Sequence, residues 1–367
     1  TEKLFLFRLY KLNEEKYVLY LAFHHIIFDG WSQKIFDKEL MLIYHALLHN
    51  NQPELPEIKK QHLEWINEKK AWLQSDESNR MRRYWIAEIG GYIPKLELPI
   101  DFATPKEKSF RGEYVTERII GADILAQIAK RNEVSMHVLL LTVYFLLLHK
   151  ITGQQDIIVG IPFAERSEKE IENTIGVFIN TLPIRIQFEK LTDFYDLLAL
   201  VKKKNSNAIC NGKYPYDLMM EMVNSERDIA IESLYSTLFQ FYDLLPMENG
   251  SSLFDLSFLC RISREYLEFR INYSTDILKQ ETVNRLAKYY INLIKQIIEM
   301  GVDVSLENVE LMDIEEKREV IYRFNDTKTS YDKHLTLNQL FENQVEKTPG
   351  VQIIFVGFYG LIKKRHT

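Results

Sequence analysis

The run Val138–Leu148, VLLLTVYFLLL, is the segment that most restricts what this chain can become. An uncharged stretch this dense must leave water, yet it is about half of the roughly 20 residues that a membrane span needs. Ser135 stands as an N-cap before it, and Gly153 closes the pattern a little beyond His149. The run therefore reads as a helix buried on most sides, which needs a large folded body packed around it. A chain of 367 residues supplies one, with room for two or three domains. Its 46% apolar and 27% charged residues are the composition of a soluble globular protein.

Several classes fall away on this basis. A net charge of −6 gives no basic stripe for nucleic acid, and no membrane partner is expected. Cys210 and Cys260 lie far apart without a CxxC pairing, so a disulfide scaffold or cysteine zinc site is not expected. A reducing, cytoplasmic setting is the default. The chain starts Thr-Glu-Lys, with neither an initiator Met nor a signal peptide, and its N-terminus reads as a cut edge.

The rest of the sequence alternates element types. Residues 4–10 (LFLFRLY) and 17–23 (YVLYLAF) flank the polar KLNEEK, a strand, turn, strand signal. From Ser32 to Asn50 apolar residues recur at Ile35, Phe36, Leu40, Ile43, Leu47 and Leu48, the period of a helix. Residues 61–90 read as helical, and the proline-bearing LELPIDFATPKEKSFRG (96–112) breaks regular structure and marks a lobe boundary. Helices are expected over 123–132 and 135–150, and strands over 156–163, 180–188 and 267–274. No internal repeat is visible. The fold class is α/β in the broad, α+β sense, with a sheet-containing core.

Between the second strand and the first helix stands FHHIIFDGWS (23–32). Three readings of His24 and His25 stay open. Core histidines with satisfied hydrogen bonds are common at strand ends. A metal site needs convergent ligands, whereas strand neighbours diverge. In a catalytic reading, alternation sends one imidazole inward and the other to a cavity, where it can take a proton from an amine or hydroxyl attacking a carbonyl. Asp29, in apolar company, needs a cationic or donor partner that would lock the loop. Gly30 is expected to permit a tight turn and a close backbone approach. Trp31 reads as a core residue, and His45, His49, His137 and His149 as surface or core. With GxSxG absent and no flanked Ser or Cys nucleophile, direct transfer fits better than an acyl-enzyme.

His24-His25-Ile26-Ile27-Phe28-Asp29-Gly30 resembles HHxxxDG, the signature of the condensation domains of nonribosomal peptide synthetases, within the chloramphenicol-acetyltransferase-like superfamily. Further segments resemble that family's motifs in order: EWINEKKAWLQ around Trp65, RYWIAEI (83–89), LELPIDFATP (96–105), IGVFINTLPIRI (175–186), YPYDLM (214–219) and RDIAIESLYSTLFQF (227–241). The resemblance covers about residues 1–305. It implies a two-lobed fold with a mixed sheet in each lobe and the active site in an interlobe tunnel. Residues 1–105 would be the remainder of an N-terminal lobe, 106–305 the C-terminal lobe and 306–330 a linker. Residues 331–367 would be the truncated start of an adenylation domain, since LTLNQLFENQVEKTP looks like such an opening. The family's long segment before HHxxxDG, with its RHExLRTxF motif, is not matched here, so an N-terminally truncated domain is expected.

The implied activity is amide formation between a carrier-bound acyl or peptidyl thioester and the amine of a carrier-bound aminoacyl thioester. By the same resemblance, His25 is catalytic and His24, Asp29, Gly30 and Arg185 support it, with Arg185 as the partner of Asp29. Asn180 would line the tunnel or bridge the lobes. No metal and no directly bound cofactor are implied; both substrates ride on the 4′-phosphopantetheine of upstream and downstream peptidyl carrier proteins, beside an adjoining adenylation domain. The alternatives are an inactive fragment, an epimerization relative, or a transferase acting on a coenzyme A thioester.

Overall fold

The computed structural model describes residues 3–166, 168–225, 231–242, 250–263, 266–328, 334–348, 354–357 and 360–363. Contacts divide the chain into a unit from Thr1 to Met312 and a second from Asp313 to Thr367, which begins inside the stretch expected as linker.

The first unit opens with the expected hairpin, β1 (Phe5–Lys11) and β2 (Tyr17–Phe23), followed by α1 (Gly30–Leu48), α2 (His62–Trp72) and α3 (Asp76–Ile89). Its two strands pair antiparallel from Phe5↔Phe23 to Lys11↔Tyr17. A mixed sheet was expected in this lobe, but two strands can form only one ladder, and this one is antiparallel. No helix or strand lies between Ile89 and Gly112, a stretch broken by Pro94, Pro99 and Pro105.

From Gly112 a second layer system forms: β3 (Gly112–Ile120), α4 (Ala122–Arg131), α5 (Met136–Thr152), β4 (Asp156–Ala164), β5 (Ile179–Gln187), α6 (Phe194–Cys210), α7 (Tyr216–Ser225), β6 (Thr237–Phe241), β7 (Leu256–Ile262), β8 (Tyr266–Ser274) and α8 (Gln280–Met300). The strands make one mixed sheet in the order β3-β8-β7-β6-β4-β5. The β4–β6 and β6–β7 pairs run parallel and the others antiparallel.

The apolar run of α5 is buried along all of Val138–Leu148, as its composition requires. Ser135 Oγ accepts the Val138 N–H at 3.2 Å, and Gly153 ends the helix with φ +70°. Around it, Tyr144 packs on Phe258 of β7, and Tyr290 of α8 packs on Phe258 and Phe269. The two buried tyrosine hydroxyls of this cluster are satisfied: Tyr290 Oη donates to Leu140 O at 3.0 Å, and Tyr144 pairs with Thr237. Each fully buried Leu, Ile or Phe here contributes about 1.5–3 kcal/mol relative to exposure. Among the described residues, no single helix is long and apolar enough to cross a membrane.

In the second unit, α9 (Ile314–Arg318) leads into one π turn (Glu319–Arg323), and α10 (Leu337–Lys347) starts on a capping box between Thr336 and Gln339. β9 (Ile354–Gly357) and β10 (Gly360–Lys363) pair antiparallel.

Candidate active site

Strand β2 stops at Phe23, and the His24 N–H donates to Leu4 O at 2.7 Å, the last bond of the hairpin. The chain then turns on itself: Ile27 N–H reaches His24 O at 3.1 Å, and His24 Nδ1 accepts the Ile26 N–H at 3.1 Å. Beneath the turn Phe23 stacks on Phe28 with centroids 3.9 Å apart, and Phe36 of α1 meets both edge-on. His24, His25 and Ile26 are exposed. One imidazole was expected to point inward. Both histidines lie beyond the last paired strand residue, so strand alternation does not govern them.

Asp29 closes the loop and is 3% exposed. Its Oδ1 accepts the Ser32 N–H at 2.7 Å as the N-cap of α1, and its Oδ2 accepts the Phe178 N–H at 3.1 Å. Arg166 Nη2 lies 3.3 Å from Oδ1 and 3.4 Å from Oδ2. Ser32, fully buried, donates from Oγ to Gly176 O at 2.8 Å and accepts the Gly176 N–H at 3.0 Å. Arg166 Nη1 donates to Ile171 O and Thr174 O, and its guanidinium lies 4.1 Å from the centroid of the Phe178 ring. Burial pulls the Arg166 guanidinium below its ordinary range, and Asp29 pushes it back up. Arg166, Gly176 and Phe178 thus grip the start of α1, and with it the end of the histidine loop.

The same segment is held from its other side. The His62 ring pairs through Nε2 with Val177 O at 3.0 Å and packs on Trp65 and Phe178. A Cβ on Gly176 would meet the His62 ring at 2.6 Å, so this is the glycine that a close approach requires. Lys69 of α2 binds the buried Glu165 carboxylate at 2.6 and 2.7 Å. Burial raises the Glu165 carboxyl above its ordinary value, against the pull of Lys69.

Four expectations are corrected by this geometry. Arg185 is not the partner of Asp29: it binds Asp156 at 2.7 Å and Tyr92 O at 2.8 Å. The reason is length. Phe178, at the threshold of β5, is where Asp29 docks, and seven extended residues put Arg185 about 23 Å away. Asn180 is committed elsewhere, its Nδ2 donating to Gly212 O and Tyr214 O and its Oδ1 accepting the Tyr216 N–H, so it brackets the turn before α7. Gly30 is the first residue of α1 without a positive φ, and a Cβ there would meet nothing within 4 Å. Trp31 is 42% exposed, its ring N–H donating to Glu172 O at 3.0 Å.

Sequence reading missed Arg166 and Ser32. A signal for Arg166 existed: β4 and β5 pair antiparallel with Ala164 opposite Ile179, so a residue just after β4 sits beside one just before β5. In the span 132–184, Arg166 is the one arginine.

The family model Condensation domain matches residues 1–321. The chain is 34% identical over 361 residues to gramicidin S synthase 2 of Aneurinibacillus migulanus, which spans 93% of this chain and 8% of that protein. It is 35% identical over 355 residues to bacitracin synthase 1 of Bacillus licheniformis, spanning 92% of the chain and 7% of the relative. The X-domain from teicoplanin biosynthesis shares the fold with a TM-score of 0.76 at 19% identity, over 85% of this chain and 75% of that one. The fold is therefore the chloramphenicol-acetyltransferase-like one of condensation domains. The chain belongs to the condensation-domain family of nonribosomal peptide synthetases, and it spans less than a tenth of the length of these two synthetases.

Proposed function

We propose that this condensation domain joins a carrier-bound acyl or peptidyl thioester to the amine of a carrier-bound aminoacyl thioester, with His25 acting at the reacting amine. The observation that carries the reading is the pinned loop: Asp29 is fixed by Ser32, Phe178 and Arg166 while His25, four residues earlier, stays exposed. Its imidazole can accept the amine proton as the amine attacks the thioester carbonyl. The C–S bond then breaks and the thiol leaves with its carrier. Asp29, Ser32 and Arg166 hold the loop and touch no substrate. Both thioesters would be borne on 4′-phosphopantetheine of upstream and downstream carrier proteins, with an adenylation domain alongside.

The test is amide formation from two loaded carrier proteins, comparing the wild-type chain with His25→Ala and His24→Ala. A general-base role predicts a loss of about 10²–10⁴-fold for His25→Ala. His24, whose Nδ1 is engaged by its own loop, should matter less. A folded His25→Ala chain that keeps wild-type turnover would remove His25 from the chemistry.

A further inference from the structure

One face of the six-stranded sheet carries charged side chains that the proposed reaction does not use. Phe258 and Phe269 pack against Tyr290 of α8, so by alternation Leu259, Arg261, Glu268 and Arg270 stand on the opposite face. The pairing register arranges them in rungs. Arg118 of β3 lies directly across from Glu268 of β8, and Arg261 of β7 lies across from Glu268 on its other side. Thr116, Arg270 and Leu259 form the next rung.

In this row two guanidinium groups share one carboxylate. Arg118 binds Glu268 Oε1 through Nε and Nη2, each at 2.7 Å, and Arg261 Nη1 lies 3.6 Å from Oε2. Glu268 is 5% exposed, whereas the side chains of Arg118 and Arg261 are 63% and 32% exposed. Aromatic rings steady the arginines: Arg118 lies over Tyr266 at 4.9 Å, and Arg270 over Tyr114 at 4.6 Å. A fork already stacked and paired loses little freedom when it takes a ligand. The row also runs against the charge of the chain, which is −6 overall.

Its place in the fold gives it further interest. β4, β6 and β7 run parallel, so Arg261 near the end of β7 and Arg166 just beyond β4 lie at one end of the sheet. The strands β7 and β4 are two spacings apart, about 10 Å.

We propose that Arg118 and Arg261, set on either side of Glu268, bind a phosphate group. Glu268 fixes one edge of the Arg118 fork and orients it, leaving Nη1 outside that pair. A tetrahedral phosphate has oxygens enough to accept from both guanidinium groups at once, which is the geometry arginine serves best. The phosphate can come free or as the ester end of a longer molecule, and the site reads the same oxygens in either.

The experiment is calorimetric titration of the chain with two probes, inorganic phosphate and phosphopantetheine. Arg261→Met is the main variant, because it leaves the Arg118–Glu268 pair intact. The double variant Arg118→Met/Glu268→Gln is the second, removing a cation without stranding a buried carboxylate. Saturable binding of at least one probe by the wild-type chain is expected, weakened about tenfold or more in both variants at unchanged melting temperature. Binding of both probes would assign the site to phosphate from any source, and binding of phosphopantetheine alone to the ester. Absence of saturable binding at millimolar concentrations of either probe, or wild-type binding by folded Arg261→Met, would overturn the proposal. Neither readout depends on amide formation, so the result stands apart from the role of His25.

Discussion

Asp29 and Arg166 stand 137 residues apart in sequence and meet at 3.3 Å, with 1% and 2% of their side chains exposed. An ion pair this deep is costly to break from one side, because the survivor keeps its charge without water. Arg166→Ala should destabilise the first unit by about 3–5 kcal/mol in urea unfolding, and Asp29→Ala by a comparable amount. The double variant should lose much less than their sum, since neither charge is then left alone. Strict additivity would mean that the two side chains do not interact.

Arg185 provides the contrast. Its partner Asp156 is 27% exposed and its other acceptors are backbone carbonyls at the edge of the sheet. Arg185→Met should cost about 1–2 kcal/mol and leave turnover unchanged once the chain is folded. A selective loss of turnover, with melting unaltered, would return Arg185 to the site.

Much of the architecture could be read directly from the residues. The α5 run is too apolar to lie anywhere but the core, and the β1–β2 hairpin and the loop after Phe23 follow from alternation and turn chemistry. The pairing of distant side chains could not be read so directly. IGVFINTLPIRI offers an arginine in a strand, but which end of that strand meets Asp29 depends on the antiparallel register of β4 with β5, a tertiary fact. Asn180 and Ser32 were obscured for a related reason. Their partners are backbone groups of other segments, Gly212, Tyr214 and Gly176, and backbone carries no side-chain label in a sequence.

Two glycines of the clamp should respond in opposite ways to the same substitution. Gly176→Ala drives a Cβ to 2.6 Å from the His62 ring and 3.0 Å from its Cβ, with the bonds from Ser32 holding the backbone in place. A loss of about 1–3 kcal/mol is expected. Gly30→Ala meets nothing within 4 Å at the start of a helix and should gain about 0.4–1 kcal/mol. Thermal melting of the two variants beside wild type decides it; a destabilised Gly30→Ala chain would mean that the glycine is needed for conformation after all.

His137 makes the stability of the larger unit sensitive to acid. Its ring lies 5.5 Å from Phe239 and from Phe241, and burial lowers it to about 4 from an ordinary 6.5, with Asn205 acting weakly the other way. The folded chain therefore keeps this imidazole neutral between those values, while the unfolded chain protonates it. More protons bound in the unfolded state means that stability rises with pH through this window. The contribution is complete above pH about 6.5 and is lost as pH falls toward 4, amounting to about 2–3 kcal/mol. His137→Phe should flatten that part of the profile when urea midpoints are measured from pH 4 to 7. A variant whose profile keeps the wild-type slope would place the acid sensitivity in another group.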